Sequence, residues 1–355
     1  MKSKYKVPFC RPYITKRERR AVDSVLKSLQ MGCGEEVSEF EKEFAEYVGS
    51  KYAVAVSSGT AALFLSLQAM GIKEDWNVIV PSLTFTASAS VIRHSGATPV
   101  FCDVDRKTLC LDKEKVRKVK DEIRVDAAVN VYLTGNDAED LGIPTVYDAA
   151  HYLFRNCHRG EFQTYSFHPT KNMTTGYGGM ISLNSEKAYR YLLKARMHGC
   201  VKRGSEEALK GTARRWGYDV QFCGWKMNMN NIQAALGREQ LKNLDYMNQG
   251  RVRCISQYNY GLGLNRVGLH LYPIFVEDRE EFMEAMEEAG IQCSVHFEPL
   301  HKMTAYADLD VTEDLSNSEW IGKHIVSLPL FPKLTNKQID YVCKKVRDSG
   351  LLISQ

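Results

Sequence analysis

The sequence predicts an α/β protein in which a large, mostly parallel sheet flanked by helices is followed by a small C-terminal α/β domain. Two patterns lead to this. Short apolar runs recur at 52–56, 77–80, 98–101, 127–131 and 145–147, each ending in small or polar residues before helical spacing resumes. Strands covered on both faces by helices read as continuous apolar runs of this kind. Beyond a long helix, strand and helix alternate afresh, so the chain divides into 1–245 and 246–355.

Residues 17–30, with Leu among Arg and Lys at helical spacing, and 35–48, with Val37, Phe40, Phe44 and Val48 three or four apart, read as amphipathic helices. The 52–56 run meets Ser57-Ser58-Gly59-Thr60, after which Ala61, Leu63, Leu65 and Leu67 open a buried helix. From 186 to 250 the pattern is helical, interrupted by a charged excursion, 199–217, that reads as mobile; the longest helix is expected over 230–247. Then come a strand at 270–276, an acidic amphipathic helix at 278–289 ended by Gly290, a strand at 293–297 and a closing helix at 336–348. No internal repeat or low-complexity tract is present.

Composition excludes several classes. A net charge of +4 over 355 residues, with basic residues scattered among acidic ones, gives no nucleic-acid footprint. Ten cysteines spread from Cys10 to Cys343 without a Cys-x-x-Cys pair read as reduced thiols in a cytoplasmic protein, with no metal site expected. The basic start, Met1 to Lys6, runs into Pro8 and Pro12 rather than an apolar stretch, so no signal peptide is expected. Nor does any apolar run approach the roughly 18 residues of a membrane-spanning helix.

Four local features carry chemistry. Ser57-Ser58-Gly59-Thr60-Ala61 opens a helix, where unpaired amides and the helix dipole suit a phosphate; helix capping is the plainer alternative. Asp148 ends an apolar strand in Tyr147-Asp148-Ala149-Ala150-His151, where it either points into the ligand crevice or caps the next helix. Lys171 lies between the hydroxyl-rich Tyr165-Ser166-Phe167-His168-Pro169-Thr170 and the Gly176-Tyr177-Gly178-Gly179 turn. A tight, partly desolvated amine there can lose its proton and form a Schiff base, although most lysines are solvated surface residues. Phe85, after the 77–80 strand, can stack on a planar ring or sit in the core. Together these supply a phosphate cup, a ring face, a pyridinium partner and an imine lysine, the parts of a pyridoxal 5'-phosphate (PLP) site.

The chain resembles the DegT/DnrJ/StrS-type sugar aminotransferases, a fold type I PLP family. The resemblance rests on Val7-Pro8-Phe9-Cys10-Arg11-Pro12, Ser58-Gly59-Thr60-Ala61-Ala62-Leu63, Pro81-Ser82-Leu83-Thr84-Phe85, Asp148-Ala149-Ala150-His151 and Ser166-Phe167-His168-Pro169-Thr170-Lys171-Asn172. It continues in Asn231-Ile232-Gln233-Ala234-Ala235-Leu236-Gly237 and Ser294-Val295-His296-Phe297-Glu298-Pro299-Leu300-His301. It implies that Lys171 carries the cofactor, Asp148 pairs with its pyridine nitrogen and His151 lies near its phenolic oxygen. Gly59, Thr60, Ala61 and Ser166 would hold the phosphate, and Phe85 would cover the ring. It also implies a homodimer with shared active sites, in which Lys226 or Asn228 reaches the neighbour's phosphate. His296 and His301 match a motif by the sugar-nucleotide entrance, with a substrate or a structural role. Tyr177 departs from the family's usual Glu, 248–269 is shorter than usual, and Leu133-Thr134-Gly135-Asn136 does not reproduce the usual loop.

The activity so implied transfers an amino group from an amino acid, L-glutamate, through pyridoxamine 5'-phosphate to the keto group of a nucleotide-linked, 4-keto-6-deoxy sugar. Three rivals stand beside it. A PLP-dependent sugar dehydratase of the same family would place His where Lys171 stands; a non-catalytic sugar-nucleotide-binding homologue would need none of these residues; an amino-acid aminotransferase would use no sugar.

Overall fold

A Thr15–Glu18 capping box starts α1 (Lys16–Ser28), with the Glu18 carboxylate accepting from the Thr15 amide at 2.8 Å. The computed structural model describes residues 4–135, 139–202, 217–309 and 314–353. After α1 come α2 (Glu35–Val48), β1 (Tyr52–Val56), α3 (Gly59–Met70), β2 (Asn77–Pro81), α4 (Ala87–His94), β3 (Thr98–Cys102) and α5 (Lys113–Glu122). The sheet is completed by β4 (Ala127–Val131), β5 (Thr145–Asp148), β6 (Phe162–Ser166) and β7 (Gly179–Leu183). α6 (Glu186–Ala195) leads to an antiparallel pair, β8 (Cys200–Lys202) and β9 (Tyr218–Val220), and then to α7 (Asn231–Lys242) and α8 (Leu244–Leu262). The chain closes with β10 (Tyr272–Phe275), α9 (Arg279–Glu288), α10 (Ser316–His324), β11 (Ile325–Leu328) and α11 (Asn336–Asp348). No described helix is long and apolar enough to cross a membrane.

The seven strands run β1-β7-β6-β5-β4-β2-β3, with β2 to β6 parallel and β7 antiparallel to both neighbours. β4 and β5 are buried at every position. α3 is buried continuously from Ala61 to Leu67, because it lies on β6 and β7 while α4 and α6 cover it from the other side. On the opposite face Phe40, Phe44 and Met229 pack under Tyr165 and Phe167. A third apolar cluster collects Cys254, Ile255, Tyr258 and Leu262 of α8 with β10, β11, α9, α11 and the N-terminal Val7.

Two expectations are corrected and two elements are added. Residues 230–247 are not one helix: the chain turns at Asn243 (φ −97°, ψ 0°), whose side-chain amide donates to Glu18 and to the Glu239 carbonyl, and the longest described helix is α8. Residues 293–297 form no strand; Ser294 makes a single bridge to the free edge of β11 at Ser327, and the chain then departs to bring His296 against Phe9 and Phe297 against Phe85 at a cavity wall. α10 and β11 add to the elements expected from the sequence, and the N-terminus of α10 is capped from afar by the Asp103 carboxylate, which accepts from the amides of Asn317 and Ser318. Of the excursion expected to be mobile, 203–216 lies outside the described residues, as does Asn136.

A buried ion pair fastens the outer edge of the sheet. Arg196 and Glu41 have side chains only 8% exposed and meet beside β1, where the Ala55 carbonyl accepts from Arg196 at 2.6 Å and the Ala55 amide donates to Glu41 at 2.7 Å. Removing one partner leaves an uncompensated buried charge, a loss of about 3–5 kcal/mol. Arg196→Met should therefore lower the chemical-denaturation midpoint substantially, whereas Lys42→Met, which breaks only the exposed pair with Glu39, should leave it nearly unchanged.

Candidate active site

Parallel strands present their carboxyl ends to one edge, and there a cavity of about 510 Å³ opens. The ends of β4, β5 and β6 bring Val131, Asp148 and Ser166 to it, α3 begins at it, and Phe9, His270 and His296 reach it from distant parts of the chain.

At the start of α3, the Ser58 hydroxyl accepts from the Ala61 amide at 3.0 Å, so Ser58 caps the helix and Ala61, which is buried, has its amide engaged. Gly59 and Thr60 line the cavity, and their amides, in the first turn, have no carbonyl four residues back within the helix. Glycine is required twice in this cradle. A Cβ on Gly59 would lie 2.9 Å from the Ser166 Cβ, and one on Gly179 would lie 2.3 Å from the Ser58 carbonyl oxygen. Only without those Cβ atoms can α3, β6 and β7 converge, leaving free amides and the hydroxyls of Thr60 and Ser166 around a seat suited to an anion.

Asp148 is 8% exposed. One carboxylate oxygen accepts from Ser88 Oγ at 2.9 Å and the other from the Ala150 amide at 3.1 Å. Both donors are neutral. Burial raises its pKa above the ordinary carboxylate range, partly offset by the Ala150 amide, the Ser88 hydroxyl and the charge of Lys171. A protonated ring nitrogen at this carboxylate would give it a directly paired cation.

Lys171 Nζ lies 2.6 Å from His151 Nε2, and His151 Nδ1 lies 2.5 Å from the Leu133 carbonyl oxygen. A carbonyl can only accept, so Nδ1 carries the imidazole proton and Nε2 offers its lone pair to the lysine. Burial, then the nearby lysine charge, holds the imidazole well below its ordinary pKa, which keeps it neutral. Burial also draws the Lys171 amine down to about 8, against the opposing pull of Asp148 and Cys10.

The remaining candidates divide. Phe85 is 57% exposed rather than core, lines the cavity and meets Phe297 with ring centroids 5.7 Å apart. Tyr177, 66% exposed, lines the same cavity and touches His168 edge-on. His296 lines it too, with Nδ1 3.0 Å from Ser327 Oγ and its ring stacked on Phe9. His301 is held by Ser82 Oγ at 2.6 Å and Glu319 at 3.1 Å. Both ring nitrogens are thereby engaged within the fold. Lys226 is exposed beside Met197, and Asn228 donates to the Met229 carbonyl; neither is among the residues lining the cavity.

Sequence reasoning missed Ser88 and His270. Ser88 falls one helical turn after Thr84 and could have been sought as a partner for Asp148. His270 opens the apolar run that leads into β10, an unusual place for a polar side chain; it is buried, its ring centroid lies 4.3 Å from that of His151, and its Nδ1 has no partner among the described residues. Among the described residues no group of three or more His, Cys, Asp or Glu could hold a metal ion.

Comparison with known proteins gives a consistent picture. The model of the DegT/DnrJ/EryC1/StrS aminotransferase family matches residues 12–347. The spore coat polysaccharide biosynthesis protein SpsC of Bacillus subtilis is 35% identical over 382 residues, covering 96% of each chain. Among solved structures, Spr1654 of Streptococcus pneumoniae in its PMP form superposes with a TM-score of 0.86 at 27% identity, covering 97% of this chain and 99% of that one. A DegT/DnrJ/EryC1/StrS aminotransferase of Brucella abortus gives a TM-score of 0.84 at 28% identity over 94% and 95% of the two chains.

An amine with a pKa of about 8 is half neutral at that pH, while exposed lysines stay almost fully charged. Competitive acylation of the cofactor-free protein, read by peptide mass analysis, should place the reactivity midpoint of Lys171 near pH 8 and those of surface lysines about two units higher.

Proposed function

Because the chain belongs to the DegT/DnrJ/EryC1/StrS aminotransferase family and has the architecture of the fold type I PLP aminotransferases, we propose that it moves an amino group from L-glutamate to the keto carbon of a nucleotide-linked 4-keto-6-deoxy sugar. One observation carries the reading: a single cavity holds the lowered-pKa amine of Lys171, the buried carboxylate of Asp148 and the anion seat at the start of α3. Those three groups fit the carbonyl, the ring nitrogen and the phosphate of PLP. The bound cofactor supplies the electron sink that amino transfer needs.

The chain's own residues do the rest. Lys171 holds the cofactor, and its neutral amine takes a proton at the donor's α-carbon and returns it on the cofactor side. His151 keeps its lone pair toward that amine because the Leu133 carbonyl fixes its other nitrogen. Asp148, oriented by Ser88 and the Ala150 amide, keeps the ring nitrogen protonated. Gly59 and Thr60 offer amides, and Thr60 and Ser166 hydroxyls, to the phosphate, while Phe85 covers the ring. Lys226 or Asn228 serves the neighbouring site of a homodimer. His296 contacts the sugar nucleotide, and His301 holds the same segment against Ser82. The sugar substrate is supported by SpsC, named for polysaccharide biosynthesis.

With PLP added, borohydride should fix the cofactor on Lys171, as peptide mass analysis would show, and L-glutamate should convert the unreduced protein to its amine form. A nucleotide-linked keto sugar should then restore the starting spectrum. Absence of an adduct at Lys171 would overturn the reading. Asp148→Ala should slow turnover about 10²–10³-fold while changing PLP affinity much less; near-normal turnover would remove Asp148 from its role.

A further inference from the structure

Beneath the Lys171 loop lies a buried cation that meets no carboxylate among the described residues. Arg251, on α8, is 4% exposed. The acceptors it reaches are all neutral: the Asn172 carbonyl at 3.1 Å, the Lys171 carbonyl at 3.4 Å and Asn248 Oδ1 at 3.4 Å. Burial pulls its guanidinium down to about 10. Burying a charge without a counter-ion is costly, and an apolar side chain of similar length would fill the same space without that penalty. Packing alone therefore gives no reason for an arginine here.

The surrounding amides are tied into the same network. Asn172, 2% exposed, donates to Asn248 Oδ1 at 3.2 Å and to the Leu269 carbonyl at 3.0 Å, and Asn248 donates to the Leu153 carbonyl at 2.9 Å. Two consecutive main-chain carbonyls, at the lysine and just after it, are thus fastened to a helix that is itself anchored at both ends, through Leu244 and Met247 in the cluster under Tyr165 and Phe167 and through Cys254, Ile255, Tyr258 and Leu262 in the third apolar cluster. Arg251 itself is not among the residues that line the cavity.

We infer that Arg251 is a positioning residue: with Asn172 and Asn248 it pins the main chain of Lys171 to α8, so that the amine meets its ligand from one fixed direction. The inference rests on the reading of Lys171 as the reacting amine. Nη2 donates to both carbonyls while Nη1 reaches Asn248 Oδ1, a fixed planar spread of donors that a lysine's point charge would reproduce less well, and fixed support for a reacting group is what misplacement by about 1 Å would forfeit, at roughly a hundredfold in rate.

The test compares wild type with Arg251→Ala and Arg251→Lys. In the cofactor-free chain, hydrogen exchange over 167–175 should accelerate about tenfold or more in Arg251→Ala while β4 exchanges as before. With PLP bound, kcat should fall about a hundredfold with KM for the amino donor within about threefold. Arg251→Lys should lie between, and guanidinium ion should restore part of kcat to Arg251→Ala. Unchanged exchange over 167–175 with unchanged kcat would overturn the inference, even if thermal stability drops. So would uniform acceleration across the loop and β4 with no rescue by guanidinium. A local exchange effect in a chain whose wild type transfers no amino group would support the pinning of Lys171 and refute the proposed activity.

Discussion

The site depends on one hydrogen-bonded chain, from the Leu133 carbonyl through both nitrogens of His151 to the amine of Lys171. Its geometry is set by the sheet. β4 and β5 are parallel neighbours with Val131 opposite Asp148, so Leu133 and His151, just beyond them, leave the same edge side by side. The carbonyl then selects the imidazole tautomer, and the tautomer in turn decides that the lysine meets a lone pair rather than an N–H. Burial supplies the remaining condition, since a solvated lysine at this place would keep its proton.

The same economy of position governs the anion seat and the carboxylate. Ser58 spends its hydroxyl on the third amide of the helix, which leaves the first two facing outward. Ser166 and Gly179 stand opposite one another across β6 and β7, so one register brings both the hydroxyl and the close backbone approach to the start of α3. Asp148 is fixed by a hydroxyl from α4 and by an amide two residues on, neither of which neutralises it.

Local chemistry was legible where periodicity or residue type left little choice. The runs at 52–56 and 127–131 are strands, and Ser57 to Thr60 does open a helix, with Ser58 as its cap. Phe85 could not be assigned between core and cavity, because exposure of a loop aromatic depends on what the rest of the chain leaves uncovered. The turn at Asn243 was illegible for a similar reason: besides its local bond to the Glu239 carbonyl it is held by Glu18, more than two hundred residues away, and neither Gly nor Pro marks it. β11 escaped notice because its four residues come after a short helix whose cap, Asp103, lies on the other side of the sequence. Lys226 and Asn228 reach Met197 and the Met229 carbonyl of their own chain, contacts that no local pattern announces.

The N-terminal segment also bears on the timing of assembly. Val7 pairs with Ile291, the Phe9 amide donates to Gln292 across a separation of 283 residues, and the Leu330 amide donates to the Phe9 carbonyl. At about 5–20 residues per second, a ribosome needs roughly 15–60 s to make the stretch between these partners. For that interval the first apolar residues of the nascent chain have no native surface on which to settle. Phe9 also stacks on His296 at the cavity wall, so one side of the pocket is finished only when nearly the whole polypeptide has emerged. A truncated product released early would carry Lys171 in a cleft missing the wall that His270, Ser294, His296 and Phe297 supply.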